Sequence, residues 1–346
     1  MVKRVFIFLL LSATYGCYTP KQMAFGTGIM LTNIGQVIYD TDNCGDIEAI
    51  SSLRLSDIKI IQELDKKAAF SFSIMSDNKG DSPYDNIQME RMVKWIKESG
   101  DAFVIGLGDH VARTLKNTFL TFLKKDSWWS KNFYPNIADG ENEFYGKSQS
   151  DWCGGADFLK VPGLDKNPNV VIRENGCEYY AKLQVKDYTV HLIQLHYPDE
   201  PFDKNRAFPI ESRQYLVDTL MSIDKSPKDI IIAAAHSQTG FWLDELSKEQ
   251  LSVVMERCDL VLSATIHCWA RKKLSGYCDR GPLVINTGSI SYPFLFCNAG
   301  YVQVHVLEKP LSLIVQYIDA DLSERELQHG KYSFVKILGG NSFNCF

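Results

Sequence analysis

Short apolar runs that stop abruptly at polar tips constrain this chain more than any other feature. In Phe103-Val-Ile-Gly-Leu-Gly-Asp-His110, apolar and glycine positions lead without alternation into a carboxylate and an imidazole. A run of that kind is buried on both faces, which marks a strand inside a helix-covered α/β sheet rather than a half-solvated one. Ala69-Phe-Ser-Phe-Ser-Ile-Met75 ends in Ser76-Asp77-Asn78-Lys79, Ile230-Ile-Ile-Ala-Ala-Ala235 in His236-Ser237, and Asp259–Ala264 in Thr265-Ile266-His267. Amphipathic segments alternate with these runs. The spacing of Met89, Met92, Val93 and Ile96, with Gly100 as a stop, predicts a helix near 84–99, and a second is expected at 212–223. Ser247-x-x-Gln250 forms a capping box ahead of Leu251, Val254, Met255 and Cys258. Glu178–Val185 and Tyr188–Leu195 read as a hairpin around Lys186-Asp187, and strands at 283–286, 301–307 and 311–317 complete the set. Two strand-rich layers with helices outside is the simplest packing.

The N-terminus carries a different signal. Met1–Cys17 has a basic start at Lys3 and Arg4, an apolar core from Val5 to Leu11 and small or polar residues before Cys17, which together read as a secretory signal. The apolar run is too short to span a bilayer. Gly16-Cys17 resembles the bacterial lipoprotein signal, which implies lipidation of Cys17 and an exported protein anchored to a membrane, in the periplasm or at the cell surface, or otherwise secreted. The expected organisation is a signal peptide at 1–17, a spacer and lead-in helix at 18–66, a catalytic-type domain at 67–330 and a C-terminal tail at 331–346. Eight cysteines follow Cys17, an even set in a chain where disulfides can persist, and no CxxC occurs. A net charge of −5 with no basic stripe gives no footprint for nucleic acid.

Polar residues at the C-terminal ends of strands are where ligands bind in open α/β sheets. The tips, together with Asp139-Gly140-Glu141-Asn142-Glu143, offer carboxylates, imidazoles and a carboxamide, the donor types that hold one or two hard divalent metals. Other chemistries fit less well. Gly106-Leu-Gly-Asp-His-Val111 lacks the third glycine of a dinucleotide fingerprint, no Walker-type loop occurs, and His236-Ser-Gln-Thr-Gly240 lacks the glycine a nucleophile elbow requires before its serine.

In order and spacing, these pieces resemble the calcineurin-like metallophosphoesterases, the superfamily that includes the purple acid phosphatases. Its members carry D-x-H, G-D, G-N-H-[ED], a lone His after an apolar strand, and G-H-x-H. The corresponding places here hold Asp77-Asn78-Lys79, Gly108-Asp109, Gly140-Glu141-Asn142-Glu143, His236 and Ala264-Thr265-Ile266-His267, across roughly residues 67–320. The resemblance implies a four-layer α/β/β/α sandwich and metal-dependent hydrolysis of a phosphoester substrate. It implies one or two divalent ions (Mn, Fe, Zn or Mg).

By the same resemblance, one ion's ligand set falls on Asp77, Lys79, Asp109 and His267, and the second's on Asp109, Glu141, His236 and Thr265. Asn142 takes the place of the histidine that stabilises charge at the phosphoryl centre, while a one-residue slip would make Asn142 the ligand and put Glu143 there. An ammonium cannot ligate, so Lys79 departs from the pattern and is expected to supply positive charge where an ion is missing. The expectation is a reduced one-metal site on Asp109, His236 and either Glu141 or Asn142. The alternative is an inactive pseudo-phosphoesterase whose cleft binds a ligand or partner. His196 reads as a loop histidine, and His110 is given no role.

Overall fold

The computed structural model describes residues 66–78, 83–111, 118–146, 153–197, 208–236, 239–264, 269–272, 281–288, 299–308, 311–319, 332–337 and 343–345. Lys79, Thr265, His267, Cys17, the spacer and the lead-in helix therefore lie outside the described residues.

The strands are β1 (Ala68–Met75), β2 (Val104–Gly106), β3 (Phe133–Pro135), β4 (Val170–Ile172), β5 (Tyr179–Val185), β6 (Tyr188–Leu195) and β7 (Asp229–Ala235). They continue with β8 (Leu260–Ser263), β9 (Trp269–Lys272), β10 (Leu283–Thr287), β11 (Gly300–Glu308), β12 (Leu311–Asp319), β13 (Tyr332–Ile337) and β14 (Phe343–Cys345). The helices are α1 (Pro83–Glu98), α2 (Thr118–Lys125), α3 (Ser127–Asn132), α4 (Asp139–Tyr145), α5 (Ile210–Ser222), α6 (Thr239–Asp244) and α7 (Lys248–Arg257). Among the described residues, the first sheet runs β14-β13-β12-β11-β1-β2-β3 and the second β4-β5-β6-β7-β8-β10-β9. β1, β2 and β3 are mutually parallel, as are β6, β7, β8 and β10, so both sheets present a block of parallel C-terminal ends.

The lack of alternation in β7 has a packing cause. Ile230, Ile232 and Ala234 join the core that also holds Phe72, Ile74, Val104 and Val302 of the first sheet. Ile231, Ala233 and Ala235 face the other way, onto Leu216 and Leu220 of α5 and Val254 and Met255 of α7. Both faces are buried, so every position from Ile230 to Ala235 is apolar. On the first sheet, Met89, Met92, Val93 and Ile96 of α1 are buried in its core, as their spacing predicts. The result is the expected α/β/β/α arrangement, with two sheets back to back and helices outside.

The capping box holds: Ser247 accepts the Gln250 N–H at 3.2 Å and the Gln250 side chain accepts the Ser247 N–H at 3.0 Å. The segment 331–346, expected to be a tail beyond the domain, instead adds β13 antiparallel to β12 and β14 antiparallel to β13, so the sheet continues almost to the end of the chain. Ladder hydrogen bonding to β12 decides this pairing, and the local sequence does not announce it. No helix among the described residues is long and apolar enough to cross a membrane.

Candidate metal centre

Parallel strands deliver the site residues to one place. As β1 and β2 end, the Leu107 N–H donates to the Met75 carbonyl at 2.8 Å and the Asp77 N–H to the Gly108 carbonyl at 3.1 Å, so the two tips travel together. Both aspartates adopt left-handed backbone, Asp77 at φ 51° and Asp109 at φ 59°. That conformation costs a non-glycine residue about 1–2 kcal/mol and persists only where its surroundings hold it. Gly108, at φ 97°, is required on two counts: a Cβ there would lie 2.6 Å from the Ala138 Cβ and 3.1 Å from His236 Nδ1.

His236 follows β7 and closes the group. Its Nε2 lies 3.9 Å from Asp77 Oδ1 and 3.8 Å from Asp109 Oδ2. One ligand atom from each of Asp77, Asp109 and His236 falls within 4.8 Å of the others, and all three residues are buried. The tautomer is set from behind. His236 Nδ1 is 2.7 Å from the Leu107 carbonyl, which can only accept, so Nδ1 carries the hydrogen and Nε2 turns its lone pair toward the carboxylates. Asp109 is oriented likewise, since its Oδ1 accepts the Gly140 N–H at 2.8 Å while Oδ2 faces the imidazole. Two carboxylates and one imidazole lone pair, converging from three strand ends, fit a divalent metal ion.

Glu141 does not join them, and its expected role as a ligand is corrected here. Its Oε1 accepts the N–H groups of His110 at 2.6 Å and Val111 at 3.3 Å, and its Oε2 those of Asp109 at 3.0 Å and Ala138 at 2.9 Å. A carboxylate has about four lone-pair positions, and these four donors take them. Glu141 is therefore the clamp that holds the loop after β2 in the conformation Asp109 needs. Burial, and then the charge of Asp109, raise its carboxyl to about 7. Asn142, the other candidate, directs its carboxamide oxygen to the Gly155 N–H at 2.8 Å and ties down the following loop.

A residue given no role in the sequence supports the site. His110 is fully buried against Phe119, Phe133 and Phe158. Its Nε2 accepts the Gly108 N–H at 3.0 Å, so its Nδ1–H donates to Asn78 Oδ1, linking the two tips behind the aspartates. Burial lowers its pKa from 6.5 to about 3, against the opposing charge of Asp77, which keeps the imidazole neutral. Adjacency to Asp109 was the only signal in the sequence. His196 is likewise buried at the end of β6, with Nδ1 2.9 Å from the Ile137 carbonyl.

No family model matches the chain, and no curated protein matches it. Among solved structures, it is similar to GAP50, the anchor in the inner membrane complex of Plasmodium, at 12% identity and a TM-score of 0.47 over 81% of this chain and 90% of that one. It is also similar to 5'-nucleotidase from Candida albicans SC5314, at 14% identity and 0.41 over 72% of this chain and 52% of that one. Sulfate thiohydrolase SoxB from Thermus thermophilus is similar at 14% identity and 0.39, over 68% of this chain and 42% of that one. The chain thus spans about half or less of the length of the last two.

Proposed function

We propose that this protein is a metal-dependent phosphoester hydrolase working from a one-ion site on Asp77, Asp109 and His236. The observation that carries the reading is the convergence of three donor atoms within 4.8 Å at the ends of β1, β2 and β7. A divalent ion held there supplies positive charge to a phosphoryl group and lowers the pKa of an attacking water. The chain's own work is orientation. Leu107 fixes the His236 tautomer, Gly140 aims the Asp109 carboxylate, and Glu141 holds the loop that carries Asp109. In this reading His267 completes the ligand set and Lys79 gives positive charge where a second ion is lacking. The carboxamide nitrogen of Asn142 is the group that meets a phosphoryl oxygen. Lipidation of Cys17 attaches the protein to a membrane.

Turnover of p-nitrophenyl phosphate and its bis ester, with Mn²⁺, Zn²⁺ or Fe²⁺ added back, tests the proposal. Metal-dependent hydrolysis that disappears in Asp109→Ala is expected; hydrolysis surviving that substitution would place the activity elsewhere. A second reading, a metal-binding protein without turnover, is favoured by one observation: Glu141 and Asn142 give their acceptor oxygens to backbone N–H groups rather than to a second ion. Stoichiometric metal with no hydrolysis of either ester is its expected signature.

A further inference from the structure

A second cluster of metal-ligating atoms lies outside the site just described and does not depend on its function. Cys153, ahead of the short helical turn at Ala156–Lys160, forms a disulfide with Cys177, ahead of β5, with Cα atoms 5.3 Å apart. His196, at the end of β6, faces the same point: the two sulfurs and one imidazole nitrogen all lie within 4.8 Å of one another. The Ile137 carbonyl, 2.9 Å from His196 Nδ1, fixes the hydrogen on that nitrogen. The lone pair of the ring is then on Nε2, the atom that serves as a metal ligand in a neutral imidazole. His196 is fully buried and Cys177 nearly so, and the His196 N–H is held by Glu178 Oε1 at 3.2 Å.

We propose that Cys153, Cys177 and His196 form a zinc-type site that exists only when the disulfide is reduced. The disulfide takes up two electrons and two protons, both from a dithiol that closes to its own disulfide, or the electrons from a phosphine and the protons from a water whose oxygen leaves as the phosphine oxide, giving two thiols; a divalent ion then displaces both thiol protons. Zinc bonds of about 2.3 Å to sulfur and 2.0–2.1 Å to nitrogen put tetrahedral ligands roughly 3.5–4 Å apart, within the reach these atoms already have. Two thiolates and a neutral imidazole around a divalent ion sum to zero charge, which suits burial. Soft sulfur separates this site from the carboxylate centre, whose donors are oxygen and one nitrogen. The ion would tie the loop at 153 to the β5–β6 hairpin, the same elements the disulfide joins.

Cobalt(II) added to the full-length protein is the probe, because only a thiolate site gives the sulfur-to-cobalt charge-transfer band in the near ultraviolet. The phosphine-reduced, anaerobic wild type is expected to gain that band, and the unreduced protein to lack it. Cys177→Ser should abolish it, and His196→Ala should weaken cobalt affinity by more than about tenfold. Alkylation with peptide mapping gives a second readout: Zn²⁺ should protect Cys153 and Cys177 in the reduced wild type, and that protection should be lost in His196→Ala. A band that persists in Cys177→Ser overturns the proposal. So does reduced, folded protein that shows no band, or reduced protein that Zn²⁺ fails to keep folded.

Discussion

At the scale of single residues, Glu141 shows how a motif position can keep its place and change its work. Its carboxylate stands next to Asp109 in space, yet it faces the backbone of the loop rather than the ion. Glu141→Gln keeps the size but leaves two buried N–H groups without an acceptor, a loss of about 3 kcal/mol at roughly 1–3 kcal/mol each. Urea unfolding of metal-free protein is expected to show that loss. Were Glu141 a ligand, removing a charge beside Asp109 would leave the metal-free protein as stable as before or more so.

His191, far along the sheet from the metal centre, offers a pH test. Its Nδ1 lies 2.7 Å from the Tyr180 hydroxyl and its Nε2 3.4 Å from Asp229. Burial lowers its pKa below 6.5 by more than the Asp229 charge raises it, with Lys182 and Lys225 adding to the fall. The unfolded chain therefore takes up a proton first, and stability is lost as pH drops below about 6.5. Urea midpoints at pH 7.5 and 5.5 should differ in the wild type and differ less in His191→Gln.

At the scale of elements, the long buried strands were legible because burial on both faces writes itself as unbroken apolar sequence; β7 is the clearest case. The helix at α7 was legible through its cap, and Ser247→Ala is expected to cost about 1 kcal/mol in thermal or urea unfolding while leaving metal binding intact. Several strands were not legible. β3 is Phe133-Tyr134-Pro135, three residues whose strand character comes from β2 beside it. β13 depends in the same way on β12, and β14 on β13. The tips themselves could be listed from the sequence, and three of them do meet. What could not be read was the support behind them: a carbonyl at Leu107 and the amides at 109–111 carry no side-chain signature.

At the scale of the whole molecule, the site depends on the two sheets staying in register. Gln194 of β6 crosses between them, donating to the Gly106 carbonyl at 3.2 Å and the Tyr134 carbonyl at 3.1 Å and accepting from Asn136 Nδ2 at 2.8 Å. Tyr179 adds a hydrogen bond to the Pro135 carbonyl at 2.9 Å. These bonds sit just below the tips that carry Asp109 and Glu141. Gln194→Leu should therefore lower stability by about 2–4 kcal/mol, since it removes three buried hydrogen bonds from β6 to the first sheet, and should weaken metal affinity as well. Urea unfolding checks the first and calorimetric titration of the folded variant with metal the second.

Metal content tests the one-ion centre most directly. Purified protein, loaded and dialysed, should carry one divalent ion per chain by elemental analysis, and Asp109→Asn, which keeps the Gly140 hydrogen bond and tolerates left-handed backbone, should carry none while unfolding no earlier than metal-free wild type. Two ions per chain, or one ion retained in Asp109→Asn, would contradict it.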